Sequence, residues 1–199
     1  RITKDELEYI RKEYPGRNDK EKVENFVDHM RIKDGIYDKN GNLTSIKGNE
    51  LVTFPYTLNL PLVKGQTYTA IFWAQNSGCN AYNTSDLKAV KVSYDGATNN
   101  HEIRDAFYKA ETFTVVGGPQ SIDIELKRPF AQVNVGITEE EWNAVDAAGI
   151  EIMKSSVVFS EAANTINLMT GKVSGGASVT FAAEDIISGE TLNVDLNKN

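Results

Sequence analysis

Acid–base, nucleophilic or metal chemistry in this chain would have to be built from two histidines, one cysteine and 28 carboxylates. His29 falls in a charged, helix-patterned stretch and His101 in a polar loop. Neither has a metal partner at ligand spacing, so both read as surface histidines. Cys79 lies in the loop Asn76-Ser77-Gly78-Cys79-Asn80 with no histidine-bearing signature around it, and reads as an ordinary thiol rather than a nucleophile. As the only cysteine it can form no intramolecular disulfide and no thiolate cluster. Asp28 to Asp38 offers too few oxygen ligands at the right spacing for a calcium loop. A carboxylate pair of the glycosidase type stays open in principle, but no pair stands out. There is no phosphate-cradling Gly-rich loop, nucleophile elbow or kinase signature. The expectation is a non-enzymatic chain with no cofactor and no metal.

Aromatic side chains offer a different chemistry. Trp73, Tyr82, Tyr94 and Tyr108 could together form a sugar-stacking platform. Trp73 sits inside an apolar run and reads as core. Tyr82, in the loop Gly78–Asp86, is the possible ligand contact, or simply a cap on the fold. Nucleic acid is not an expected partner: the net charge is −7 and the basic residues are scattered rather than clustered. No apolar run reaches the about 20 residues of a membrane helix. The sequons Asn42-Leu43-Thr44 and Asn83-Thr84-Ser85 read as accidental matches.

The elements that would position these residues fall into two textures. Residues 1–34 read as a charged helical extension or insertion. Thr3-Lys4-Asp5-Glu6 has capping-box spacing before Leu7, Ile10 and Tyr14, and Val23, Phe26, Val27 and Met30 line a second stripe. Residues 35–199 read as a β-sandwich domain, expected to be the N-terminal domain of a longer two-domain protein. Asp34-Gly35, Asn40-Gly41, Asp95-Gly96 and Gly117-Gly118 are turn signals between β-type runs. Ile36 to Leu43 reads as a hairpin about Asn40-Gly41. Thr53 to Leu62 is extended, with Pro55 and Pro61 suited to an edge. Tyr68 to Ala74 is the first choice for a central strand. Thr138-Glu139-Glu140-Glu141 is a second capping box, opening a short helix with Trp142, Val145 and Ala148 on its apolar side. Further β-type runs occur at Ser156–Phe159, Thr165–Leu168, Lys172-Val173, Ser178–Phe181 and Thr191–Leu196. The class is mainly β, an antiparallel sandwich with a few short helices.

The clearest alternation lies between Ser121 and Ile137. Ile122, Ile124 and Leu126 share one face, opposite Asp123, Glu125 and Lys127. Val133, Val135 and Ile137 alternate on odd numbers, so the phase slips by one across Arg128-Pro129. A strand cannot change parity, which predicts a bulge or break there, or two strands joined at the proline.

Several stretches resemble the fimbrillin-like proteins of Bacteroides-type bacteria. They are Tyr68 to Gln75, Arg104 to Tyr108 with Glu111 to Val115, Ile124 to Gly136 with Arg128-Pro129-Phe130-Ala131 at its centre, and Asn167 to Val173. The resemblance spans about Leu51 to Leu196. It implies transthyretin-like sandwich domains, two in the full-length protein. It also implies export as a lipoprotein to the outer membrane or a fimbrium, and assembly with other subunits by a donated β-strand. Proteolysis near the N-terminus would open the acceptor groove. On this reading Ile122, Ile124, Leu126, Phe130, Val133 and Val135 line groove or core, and Arg128 and Pro129 mark the phase change. The expected function is a structural or adhesive fimbrial subunit; the alternative is a surface glycan-binding lipoprotein module.

Overall fold

The structure, a computed structural model, describes residues 30–96, 102–130, 135–136, 138–151, 154–185 and 193–194. It is mainly β, with antiparallel sheets and, among the described residues, one α-helix. The first predicted helix and most of the second, with His29 and His101, lie outside the described residues. Met30 does not. It opens strand β1 (Met30–Asp38), so the stretch 30–34, read as helical, is strand. None of the described helices is long and apolar enough to cross a membrane.

The chain forms two compact units and passes between them three times, after Cys79, Asp105 and Arg128. In the first unit, β1, β2 (Leu43–Val52), β3 (Thr67–Asn76) and β6 (Ala106–Thr114) make one sheet in the order β2-β1-β3-β6. The β1–β2 hairpin closes about Asn40-Gly41. The Asp38 carboxylate accepts the N–H groups of Asn40 and Asn42 at 2.8 and 2.9 Å, an Asx-type turn that needs no distant partner. Asp34-Gly35, read as a turn, lies within β1. A register shift beside Gly35 loops out residues 44–46 of β2 and bends the ladder without ending it.

Facing residues of an antiparallel ladder share a face, so the register assigns the sides of the sheet. Met30, Ile32, Val52 and Ala74 form a buried cluster on one side, with Phe54, Tyr56, Phe107 and Leu126 packed against it. Phe54 and Tyr56 come from the predicted extended stretch Thr53–Leu62, which alternates exposed and half-buried residues and belongs to no sheet. Ile71 and Trp73 are buried on the opposite side. Trp73 is 1% exposed, a core residue as its apolar run suggested, and its indole N–H donates to Gln75 Oε1 at 2.7 Å. Gln75 Nε2 in turn donates to the carbonyl of Cys79 at 2.8 Å. The indole's one donor is thus satisfied inside the core.

In the second unit, β4 (Tyr82–Asn83), β5 (Val90–Val92), β9 (Thr165–Asn167) and β10 (Lys172–Ser174) form a sheet in the order β10-β9-β5-β4. β8 (Lys154–Ala162) pairs with β11 (Ala177–Asp185), and β7 (Val135–Gly136) with β12 (Asn193–Val194). Val179 and Phe181 of β11 pack with Val157, Phe159 and Tyr94. Helix α1 (Glu139–Ala147) starts at the expected box: Thr138 Oγ1 accepts the N–H of Glu141, and Glu141 Oε2 accepts the N–H of Thr138 at 2.9 Å. It ends in a Schellman arrangement, Ile150 N–H on Val145 O and Gly149 N–H on Asp146 O.

Candidate functional site

Among the described residues, backbone bonding is incomplete along the outer edge of β6. On its inner side β6 pairs with β3 from Thr114↔Thr67 to Ala106↔Gln75. Just beyond the strand, Val115 exchanges bonds with Gly65 and Gln66 on that same inner side. Main-chain groups alternate along an antiparallel strand, so those of Tyr108, Ala110, Thr112 and Thr114 point outward. Tyr108 exchanges both its bonds with Lys127, at 2.8 and 3.0 Å, in an isolated antiparallel bridge. At the other end the side-chain amide of Gln120 stands in for a peptide. It accepts from Val116 N–H at 3.0 Å and donates to the Thr114 carbonyl at 3.4 Å. Between these two ties, no described backbone bond joins Ala110 or Thr112 to the neighbouring segment.

That neighbouring segment, 121–126, is the one with the clearest strand alternation, and it belongs to no ladder. Here the expectation of a strand is corrected: periodicity makes the segment extended, but a strand also needs a hydrogen-bonded partner. Leu126 packs on the Met30–Ala74 cluster and Ile124 is half-buried, whereas Ile122 is 38% exposed. The Arg128 guanidinium lies 5.2 Å from the centre of the Phe107 ring, a cation–π contact that anchors the segment's end. Beyond it the backbone bends at Pro129 and Phe130, and the boundary between the units falls between Arg128 and Pro129.

The residues expected to line groove or core fall in both units. Ile122, Ile124 and Leu126 belong to the first unit. Phe130 belongs to the second, where its ring stacks on Tyr82 at 5.7 Å and 16°. Val133 lies outside the described residues, and Val135 pairs with Val194 in β7–β12. Tyr82 is corrected as a ligand contact: it is 7% exposed, and its hydroxyl donates to the carbonyl of Arg104. Arg104 is buried as well, and its guanidinium donates to the carbonyls of Ser93, at 2.7 Å, and Asp95. Tyr94 donates to the carbonyl of Ala163, and burial raises its pKa. Three aromatic candidates are thus occupied in packing. Cys79 is buried too. Among the described residues no three His, Cys, Asp or Glu side chains gather as a metal site.

The opposite edge, β2, is guarded. Asp34, 5% exposed, faces Gly48 in register, and its carboxylate accepts the Gly48 N–H. A Cβ on Gly48 would sit 2.4 Å from Asp34 Oδ1, so glycine is what lets the carboxylate lie across the strand. Burial first, then the Glu50 charge, raise the Asp34 pKa, while the Gly48 N–H lowers it. Glu50 also accepts the Tyr56 hydroxyl at 2.8 Å. A bulge in an edge strand, such as the one at residues 44–46, is a known means of discouraging strand addition. Sequence reasoning missed Gln120 and the Asp34–Gly48 pair. The pair Gly117-Gly118 before Pro119 was the available signal that the chain turns just ahead of Gln120.

The family model for a family of unknown function (DUF6562) matches residues 11–194. The chain belongs to that family. No curated protein matches this DUF6562 chain. A solved structure from Bacteroides thetaiotaomicron, described as "putative polysaccharide binding proteins (DUF1812)", is similar in fold, with a TM-score of 0.51 at 14% sequence identity. The match covers 78% of the DUF6562 chain and 57% of that chain, so this chain spans little more than half of its structural neighbour.

Proposed function

We propose that this DUF6562 chain is a structural, adhesive subunit of a fimbrillin-like surface fimbria, and that it accepts a partner's β-strand at the outer edge of β6. The observation that carries the reading is the interval at Ala110 and Thr112, between the Tyr108–Lys127 bridge and the Gln120 amide. An added strand would pair with these outward groups and bury alternate side chains in the same step. The resemblance of Tyr68–Gln75 and Ile124–Gly136 to fimbrillin-like strands supports the reading too. In it the protein is exported as a lipoprotein to the cell surface, catalyses no reaction and needs no cofactor.

Treating the purified protein with a trypsin-like protease is expected to give SDS-resistant oligomers. Ala110→Pro, which removes an outward N–H but leaves the bonds to β3, is expected to reduce them severalfold with little change in the monomer's circular dichroism. No oligomers from the wild type, or an undiminished ladder from Ala110→Pro, would overturn the reading.

A second reading, a surface glycan-binding module, is supported by the description of the Bacteroides thetaiotaomicron neighbour. Specific binding on a glycan array by a protein that forms no oligomers would favour it.

A further inference from the structure

The register at Lys127 says what occupies the β6 edge when no partner does. The Tyr108–Lys127 bridge fixes the alignment that a longer ladder must follow. Continued along both chains, it places Glu125 opposite Ala110 and Asp123 opposite Thr112, as pairs exchanging both backbone bonds. Leu126 then faces Lys109, Ile124 faces Glu111 and Ile122 faces Phe113, in the closer, non-hydrogen-bonded positions. This alignment puts the apolar residues on the side of Phe107, where Leu126 already packs. The Gln120 amide, held between Thr114 and Val116, sits where the far end of the ladder would lie. Gly117-Gly118-Pro119, with Gly118 at φ +85°, supplies a pivot at that end.

We propose that residues 120–127 are a resident gate strand. They close onto β6 in this register to cover the acceptor edge, and open between their two ties to admit a partner. The inference rests on the strand-acceptor reading for its consequence, but closure can be measured separately. The resident strand is a weak match by design of its sequence: closing sets Ile124 beside the Glu111 carboxylate, which is already paired with Lys109 at 3.2 Å. A partner strand with a basic residue opposite Glu111 and an apolar one opposite Phe113 suits the edge better and would displace the gate.

The test is the double variant Glu111→Cys/Ile124→Cys, whose thiols share a face in the closed register. The control, Glu111→Cys/Asp123→Cys, places them on opposite faces. The 111–124 disulfide, located by peptide mapping because Cys79 is also present, is expected to form at least tenfold faster than the control link. A fluorescent peptide with the sequence of residues 121–127 should bind the reduced double variant and lose at least tenfold in affinity when the disulfide forms. In the wild type, slowed amide exchange at Ala110 and Thr112 should disappear in Lys127→Pro, which removes the bond from the Lys127 N–H to the Tyr108 carbonyl. A 111–124 link no faster than the control, or unprotected amides in the wild type, overturns the gate. Equal peptide binding in the oxidised and reduced forms overturns it too and leaves the acceptor reading standing. A selective link with no peptide bound in either form keeps the closure and overturns the acceptor reading.

Discussion

Two carboxyl groups four residues apart on β1 have opposite linkage to pH. Burial and the Glu50 charge raise the pKa of Asp34. The stability it contributes is therefore complete below its unfolded-state pKa and is lost as pH rises through the folded value. Asp38 is shifted the other way, chiefly by the N–H of Asn42. Its contribution is present above the unfolded pKa and is lost as pH falls through the folded one. Asp34→Asn keeps an acceptor for the Gly48 N–H, so it should flatten the decline of stability above about pH 4. Asp38→Asn should flatten the acid limb below it. Urea denaturation across a pH series separates the two. Tyr82→Phe leaves the Phe130 stack but takes the hydroxyl from the Arg104 carbonyl, and is expected to cost about 1–3 kcal/mol in the same assay. Tyr82→Ala should cost more than Tyr82→Phe, because the stack is lost as well.

At the scale of elements, β3 carries the first unit. It pairs on one side with β1 from Tyr68 to Asn76 and on the other with β6 from Thr67 to Gln75. Trp73→Ala should cost about 3–5 kcal/mol, the range for removing a large buried aromatic, read as a fall in the denaturation midpoint. Its run Tyr68 to Ala74 was legible because a doubly covered strand is apolar throughout. The 138–141 box and the Asn40-Gly41 turn were legible for a related reason: their bonds close within a few residues. Residues 121–126 show the converse. Their alternation is strand-like, but pairing depends on β6, and periodicity cannot report whether an edge is taken. Asp34-Gly35 looked like a turn because nothing nearby in sequence shows that Gly48 makes room for Asp34.

Across the whole molecule, neither unit is continuous in sequence, since residues 106–128 complete the first and 129–199 the second. A chain ending at Asp105 lacks β6 and exposes the edge of β3 from Thr67 to Gln75. Such a fragment should associate through that long apolar edge, seen as a high-molecular-weight species in size-exclusion chromatography, whereas a chain ending at Arg128 retains the full sheet.

The sequence by itself determined the mainly β class, the turn at Asn40-Gly41, the central strand and the start of α1, because each follows from patterning or bonding within a short stretch. Only the tertiary structure decided that Tyr82 is buried in a stack on Phe130, that Asp34 covers Gly48, and that, among the described residues, β6 is held at Tyr108 and Thr114 but not between. Those outcomes depend on which distant segments meet, and the solvation of a ring, a carboxylate or a peptide group is fixed only when they do.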